Sequence, residues 1–217
     1  MRYRCNMAAA DTAYTFTKER ILDGRLRGGD RISEGEIAQD TGLSRTPVRE
    51  AFLRLEGEGL LRLYPKRGAL VVPVSASEIG AVMEARVLVE RFAVQAVIQR
   101  ELIVTGALID VIERQEQFLG ADDAWAFAEA DHEFHRIIVA AADNEVLLQL
   151  HDSMRDRQSR MGWTALMRNP HRARTILHEH RAITAAVLTR DEQLGLSLID
   201  QHLAATLALL QSPEVTE

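Results

Sequence analysis

Two groups of residues in this chain have types and spacings that can do chemistry. The first is Ser44-Arg45-Thr46-Pro47-Val48-Arg49-Glu50-Ala51. Ser44 is a small polar residue of the kind that caps a helix N-terminus, and Arg45 and Arg49 then fall on one helical face. Two guanidinium groups at the dipole-positive end of a helix suit phosphates and guanine edges. The second group is Asp131-His132-Glu133-Phe134-His135, followed by His180 and His202. Asp131 and His135 stand at i and i+4, so they share a face. With one histidine from each of two later helices they can converge as three imidazoles and a carboxylate. Borderline divalent ions such as Zn2+, Ni2+, Co2+ or Mn2+ take such donors, and affinity order alone does not choose among them. Taken singly, each of these residues reads more readily as a helix-surface charge or a hydrogen-bonded core histidine.

The elements that must position these groups follow from periodicity and breaker residues. Helical patterns run from about Thr12 to Gly24, over Glu34–Thr41 and over Arg45–Glu58, with Phe16, Ile21 and Leu22 on the inner face of the first. Gly42 falls in the turn between the second and third, a helix-turn-helix spacing with the arginine-bearing helix second. Leu60–Tyr64 and Ala69–Pro73 are β-prone and flank Pro65-Lys66-Arg67-Gly68, a hairpin with a basic tip. That tip reads as a wing: Gly68 lets backbone approach DNA closely, and Lys66 and Arg67 supply charge. For Lys66 and Arg67 alone, a solvated turn fits equally well. Ser75 or Ser77 can cap the next helix, and from there to Leu210 no strand alternation occurs. Six helical stretches are expected, near 76–101, 105–119, 122–142, 144–168, 170–189 and 191–211, with Gly106, Gly120, Asn144, Pro170 and Asp191 near the breaks. The domain reading is a loose arm over 1–10, a winged helix-turn-helix over 11–73, a linker over 74–77 and an all-helical bundle over 78–212.

Composition agrees with a mainly α protein. Of 217 residues, 47% are apolar but only 5% aromatic, and prolines are few. The net charge of −6 argues against nucleic acid until its distribution is considered. Residues 1–73 hold 13 Lys and Arg against 10 Asp and Glu; residues 74–217 hold 13 against 22. A modestly basic module joined to an acidic body fits a DNA reader carrying a separate sensor. The single cysteine, Cys5, excludes an internal disulfide or a multi-thiolate zinc site. No apolar run reaches membrane-spanning length and no signal-peptide h-region opens the chain, so a cytoplasmic protein with no membrane partner is expected.

The runs Ile32-Ser33-Glu34-Gly35-Glu36-Ile37-Ala38, Ser44 through Phe52, Leu55-x-x-Glu58-Gly59-Leu60 and Arg67-Gly68-Ala69-Leu70-Val71 share one register. Over residues 15–73 the chain resembles the winged-helix domain of GntR-type transcription regulators. The resemblance implies double-stranded operator DNA as partner, read by a homodimer on a pseudo-palindrome. It implies base and phosphate contacts from Arg45 and Arg49, phosphate contacts from Ser44 and Thr46, and wing contacts from Lys66, Arg67 and Gly68. Two departures stand out: Gly28-Gly29 replaces a frequent Pro-Gly, and Gly35 occupies a position that is often basic or polar, removing one contact.

The helical remainder is similar to the FCD ligand-binding domain of the FadR-like subgroup, and six helices rather than seven would place it nearer the VanR-like branch. That family's Asp-x-x-x-His, His, His pattern falls on Asp131, His135, His180 and His202, which implies a divalent metal ion. His132, His151, His171 and His178 lie outside the pattern. Arg86 matches an arginine used near the effector pocket. It sits in an apolar segment, so its guanidinium needs a partner, either an effector carboxylate or an internal glutamate. An Arg86–Glu90 surface pair at i,i+4 fits the spacing as well. Arg155, Arg157 and Arg160 read as a solvated or dimer-rim face. The resulting expectation is a ligand-responsive repressor that binds a small carboxylic acid between metal and Arg86. One alternative makes the metal itself the signal. A metal-dependent enzyme is disfavoured, because Glu133 points away from the Asp131–His135 face and no other general base is placed by motif.

Overall fold

The computed structural model describes residues 8–169 and 171–212, which divide into two compact units at Val74/Ser75. The first unit has the order α1 (Ala9–Leu22), β1 (Arg31–Ile32), α2 (Glu34–Thr41), α3 (Arg45–Gly57), β2 (Leu61–Tyr64) and β3 (Gly68–Val71). Most of the expected loose arm lies outside the described residues, but its last part does not: α1 already begins at Ala9.

Local chemistry accounts for the helix-turn-helix. Ser33 and Glu36 close a capping box at the start of α2: Glu36 N donates to Ser33 Oγ (3.2 Å) and Ser33 N to Glu36 Oε2 (2.7 Å). Gly42 ends α2 in the left-handed conformation, φ 69°, where a side chain is disfavoured. Ile37 from α2 and Val48, Phe52 and Leu55 from α3 then bury together over α1 and the sheet.

The sheet is antiparallel with order β1-β3-β2. The two-residue strand β1 carries no alternation long enough to read from sequence, and pairing with Leu70 and Ala69 is what makes it a strand. At Gly68, φ is +83° and a Cβ would meet Ile32 O at 2.4 Å. The close backbone approach that glycine permits here is therefore to β1. Substituting Gly68→Ala combines a left-handed backbone with a steric overlap, a loss of about 2–4 kcal/mol. Chemical denaturation of the variant should show the reduced midpoint; an unchanged midpoint would mean that β1 moves aside without cost.

The second unit is all helix among the described residues: α4 (Ala76–Gln99), α5 (Thr105–Gly120), α6 (Ala124–Ala141), α7 (Glu145–Ser153), α8 (Arg155–Arg168), α9 (Arg172–Thr189) and α10 (Glu192–Gln211). Ser75 caps α4, accepting from Glu78 N at 3.1 Å, so helix starts inside the stretch expected as linker. The breaks use a device other than glycine. Asp122, Asp143 and Arg190 each adopt positive φ (56°, 53° and 58°). Each is followed by an Asx residue, Asp123, Asn144 or Asp191, whose side chain accepts from the third backbone N–H of the next helix. Gly106 and Gly120 lie within α5 instead. The break anticipated at Pro170 falls on a residue outside the described ones.

The expected six helices are seven. The stretch 144–168 divides at Met154, whose N–H turns back to His151 O at 3.1 Å. No glycine, proline or capping side chain marks Met154, so the sequence carries no stop signal there. The count that would have favoured the VanR-like branch is not met. Helix α6 is the central element: Phe127, His132, Phe134, His135 and Ile138 are all buried, and it packs against α4, α5, α7 and α8.

Candidate functional site

In the first unit, α3 presents Arg45 and Arg49 to solvent one turn apart. Ser44 holds the N-cap position, yet its hydroxyl makes no capping bond. Thr46, Lys66 and Arg67 are exposed, and Lys66 takes positive φ (62°) at the hairpin tip. Arg45, Arg49, Tyr64, Lys66 and Gly68 line one open groove of about 730 Å³ together with Gly35. A Cβ on Gly35 would lie 3.5 Å from Arg45 Nη2. That is an ordinary contact distance, so Gly35 borders the groove beside the guanidinium without being needed to make room for it.

In the second unit, the bundle brings Asp131 and His135 of α6, His180 of α9 and His202 of α10 together. One ligand atom from each lies within 4.8 Å of all the others. His135 Nε2 and His202 Nε2 are 3.1 Å apart, and His180 Nε2 is 3.5 Å from Asp131 Oδ1. The outward nitrogens are held from behind. His202 Nδ1 meets Glu179 Oε2 at 2.6 Å, and His180 Nδ1 meets Gln115 Oε1 at 2.9 Å. His135 Nδ1 lies 2.7 Å from Glu90 Oε2, bent from the line of a good hydrogen bond. A carboxylate only accepts, so in the neutral rings the proton sits on Nδ1 and Nε2 presents a lone pair.

Two facing lone pairs at 3.1 Å repel unless a cation lies between them. Bonds of ~2.0–2.1 Å to one ion place neighbouring donors about that far apart. Asp131 Oδ1 and His180 Nε2 are buried and have no hydrogen-bond partner. Burial holds His135 below its usual pKa, and burial together with His202 and His135 holds His180 well below. His135 and His180 are thereby held neutral, and with His202 and the Asp131 carboxylate they form a donor set that fits a borderline divalent ion.

Behind the cluster stand residues that spacing did not select. Glu90 is 1% exposed; its Oε1 accepts from Arg86 Nε at 2.6 Å while Oε2 faces His135. Burial by itself raises the Glu90 carboxyl, but Arg86, His135 and His151 outweigh it and hold it well below the usual carboxylate range. Of the partners weighed for Arg86, the internal glutamate is the one present, and the i,i+4 pair is buried instead of at the surface. Arg172, also buried, donates to Glu179 Oε1 (2.8 Å) and Thr206 Oγ1 (3.0 Å), which anchors the carboxylate behind His202. Glu179 neighbours His180 in sequence, so only the fold shows that it serves His202.

A separate cavity of about 790 Å³ lies on the far side of α6, lined by Phe118, Trp125, His132, Arg136, Asp152 and Arg155 among others. The expectation for Arg155 needs correction: it borders this cavity and donates to Glu129 Oε2 at 2.8 Å. Arg157 is exposed and pairs with Glu78, whereas Arg160 is half-buried. His132 and His151, set aside on pattern, are both buried. Burial holds His132 down to about 4.

A winged helix-turn-helix joined to a helical bundle with a buried Asp/His3 cluster defines a class of transcription regulators. Residues 9–71 match the model of bacterial regulatory proteins of the gntR family and residues 81–205 that of the FCD domain. The chain belongs to the GntR family, in its FCD-containing part. It is similar to the HTH-type regulator YdhC of Bacillus subtilis, 28% identical over 88% of this chain and 84% of that one. It is also similar to the gluconate operon transcriptional repressor of Bacillus licheniformis (26%; 84% and 77%) and to the repressor GlaR of Escherichia coli (25%; 91% and 94%). Among solved structures, a GntR-type regulator from Rhodococcus sp. RHA1 superposes with a TM-score of 0.78 at 21% identity over 94% of this chain and 98% of that one. These families and relatives are regulators, not enzymes.

Replacing Glu90 by alanine leaves the Arg86 guanidinium buried without its counter-charge and His135 without its acceptor. A loss of ~3–5 kcal/mol in unfolding free energy is expected by urea denaturation. A loss below about 1 kcal/mol would show that Arg86 reaches water in the native state.

Proposed function

We propose that the protein is a ligand-responsive repressor, acting as a homodimer on operator DNA and sensing a small organic acid through its helical domain. The observation that carries the DNA-binding residues is the exposure of Arg45 and Arg49 on α3, on one groove with Lys66 and Gly68. In this reading Arg45 and Arg49 touch bases and phosphates, Ser44 and Thr46 touch phosphates, and Lys66, Arg67 and Gly68 form the wing contact. The uncapped Ser44 hydroxyl is available for that role. The repressor assignment rests on relatives named as repressors. The homodimer is supported by Leu88 and Phe92, solvent-facing apolar residues one turn apart on α4.

For the sensing end, Asp131, His135, His180 and His202 would hold a divalent ion, with Glu90, Gln115 and Glu179 orienting the three rings. A bound ion would supply a Lewis-acidic position for a carboxylate. Arg86, fixed by Glu90 beside the cluster, supplies a second positive charge for the same guest. Such an effector changes DNA affinity only by binding the DNA-competent and DNA-incompetent forms unequally. The second reading, in which the ion alone is the signal, is favoured by the burial of the three histidines.

Operator sites selected from a random duplex library give the assay. Arg49→Ala should weaken binding to the selected site by about tenfold to a hundredfold, with dimerisation and metal content unchanged. Unaltered affinity would remove α3 from the interface. Zn2+ added to metal-stripped protein should raise the melting temperature, by the equivalent of about 2.7 kcal/mol at a hundredfold excess over Kd, and His180→Gln should make the rise markedly smaller. DNA release measured with Zn2+ alone, and with Zn2+ plus gluconate or citrate, separates the two sensing readings.

A further inference from the structure

Next to the cavity on the far side of α6, His132, His151 and Asp152 bring one ligand atom each within 4.8 Å of one another. His151 is fully buried and neither of its ring nitrogens has a hydrogen-bond partner; His132 Nε2 is likewise buried and unpartnered. Buried imidazole nitrogens left without water or protein are costly, so His132 Nε2 and His151 Nδ1 call for a ligand, while His151 Nε2 is turned to Glu90 Oε1, 3.8 Å away. His132 Nδ1 faces Gln158 Oε1 at 2.9 Å, the same arrangement that Gln115 makes behind His180. It directs the Nε2 lone pair of His132 outward. The ring centroids of His132 and His151 are 5.2 Å apart. Their planes lie 16° from parallel.

We propose that His132, His151 and Asp152 form a second site for a borderline divalent metal ion, distinct from the Asp131/His135/His180/His202 cluster and reached through the cavity. Two imidazoles and a carboxylate suit Zn2+, Ni2+ or Co2+ with solvent completing the sphere. The access route is present, because His132 and Asp152 both line the cavity and the Asp152 side chain is half-exposed. Asp152 is already oriented by Arg136, whose Nε and Nη2 donate to Oδ1 and Oδ2 at 2.7 and 2.8 Å. Each carboxylate oxygen keeps a second lone pair for an ion. His151 Nδ1 and Asp152 Oδ1 are 4.0 Å apart, against about 3.4 Å across a tetrahedral ion with bonds of ~2.0–2.1 Å, so capture draws the carboxylate a short way inward. Solvent access and three protein donors make this the weaker and faster-exchanging of the two sites, and the cavity places it where a soluble ligand can reach the ion.

Zn2+ uptake by the metal-stripped full chain, titrated against a chromophoric chelator, tests the assignment. Wild type should take one equivalent per chain more than His151→Gln, whatever the occupancy of the first cluster, because that contribution cancels in the difference. His180→Gln should keep the second equivalent, and His151→Gln/His180→Gln should lose it. Equal uptake by wild type and His151→Gln overturns the proposal. If circular dichroism shows that His151→Gln does not fold, His132→Gln and Asp152→Asn take its place, and wild-type uptake by both is again the overturning result.

Discussion

A single buried carboxylate organises the helical unit. Glu90 on α4 accepts from Arg86 on one oxygen and faces His135 on the other, with His151 Nε2 3.8 Å away. Three groups from three helices meet there: the Arg86 guanidinium of α4, His135 of α6 and His151 of α7. Such a charge survives inside an apolar bundle because its counter-ion is one turn along the same helix and donates to it, with His135 facing its second oxygen. In return, it fixes which nitrogen of His135 carries the proton, and so which nitrogen is offered to an ion.

The same logic repeats outward from that point. Glu179 holds His202 and is itself held by Arg172, while Gln115 holds His180. Phe134 covers His180 with ring planes 8° apart at 3.7 Å, so the cluster is walled by apolar surface as well as tied by hydrogen bonds. Rings restrained at both ends cannot swing away from a shared point. That pre-organisation, more than the donor types alone, is what would let four residues on three helices hold an ion.

The DNA-facing unit works by a different economy of contacts. Its core holds α3 rigidly, with Val48, Ala51, Phe52 and Leu55 buried, so the outward arginines stand on a fixed platform. Gly68 uses its conformational freedom for the β1–β3 pairing, where a Cβ would overlap Ile32 O. That glycine invites explanation by what touches DNA, and it is accounted for first by what touches the protein.

Much of this was legible in the chain. Helix periodicity, the Ser75 cap, the Gly42 turn and the charge split between halves are local properties, readable because caps and turns depend on a few neighbouring residues. The Asp131–His135 spacing was readable for the same reason. What the sequence alone could not determine was whichever partner arrives from another helix: Glu90 behind His135, Glu179 behind His202, Arg172 behind Glu179. It also could not show the break at Met154, where no residue type signals a stop, nor that His132 and His151, nineteen positions apart on α6 and α7, end with rings 5.2 Å apart. Local chemistry sets where helices begin and end; only packing sets which faces meet, and buried polar groups are satisfied across those faces.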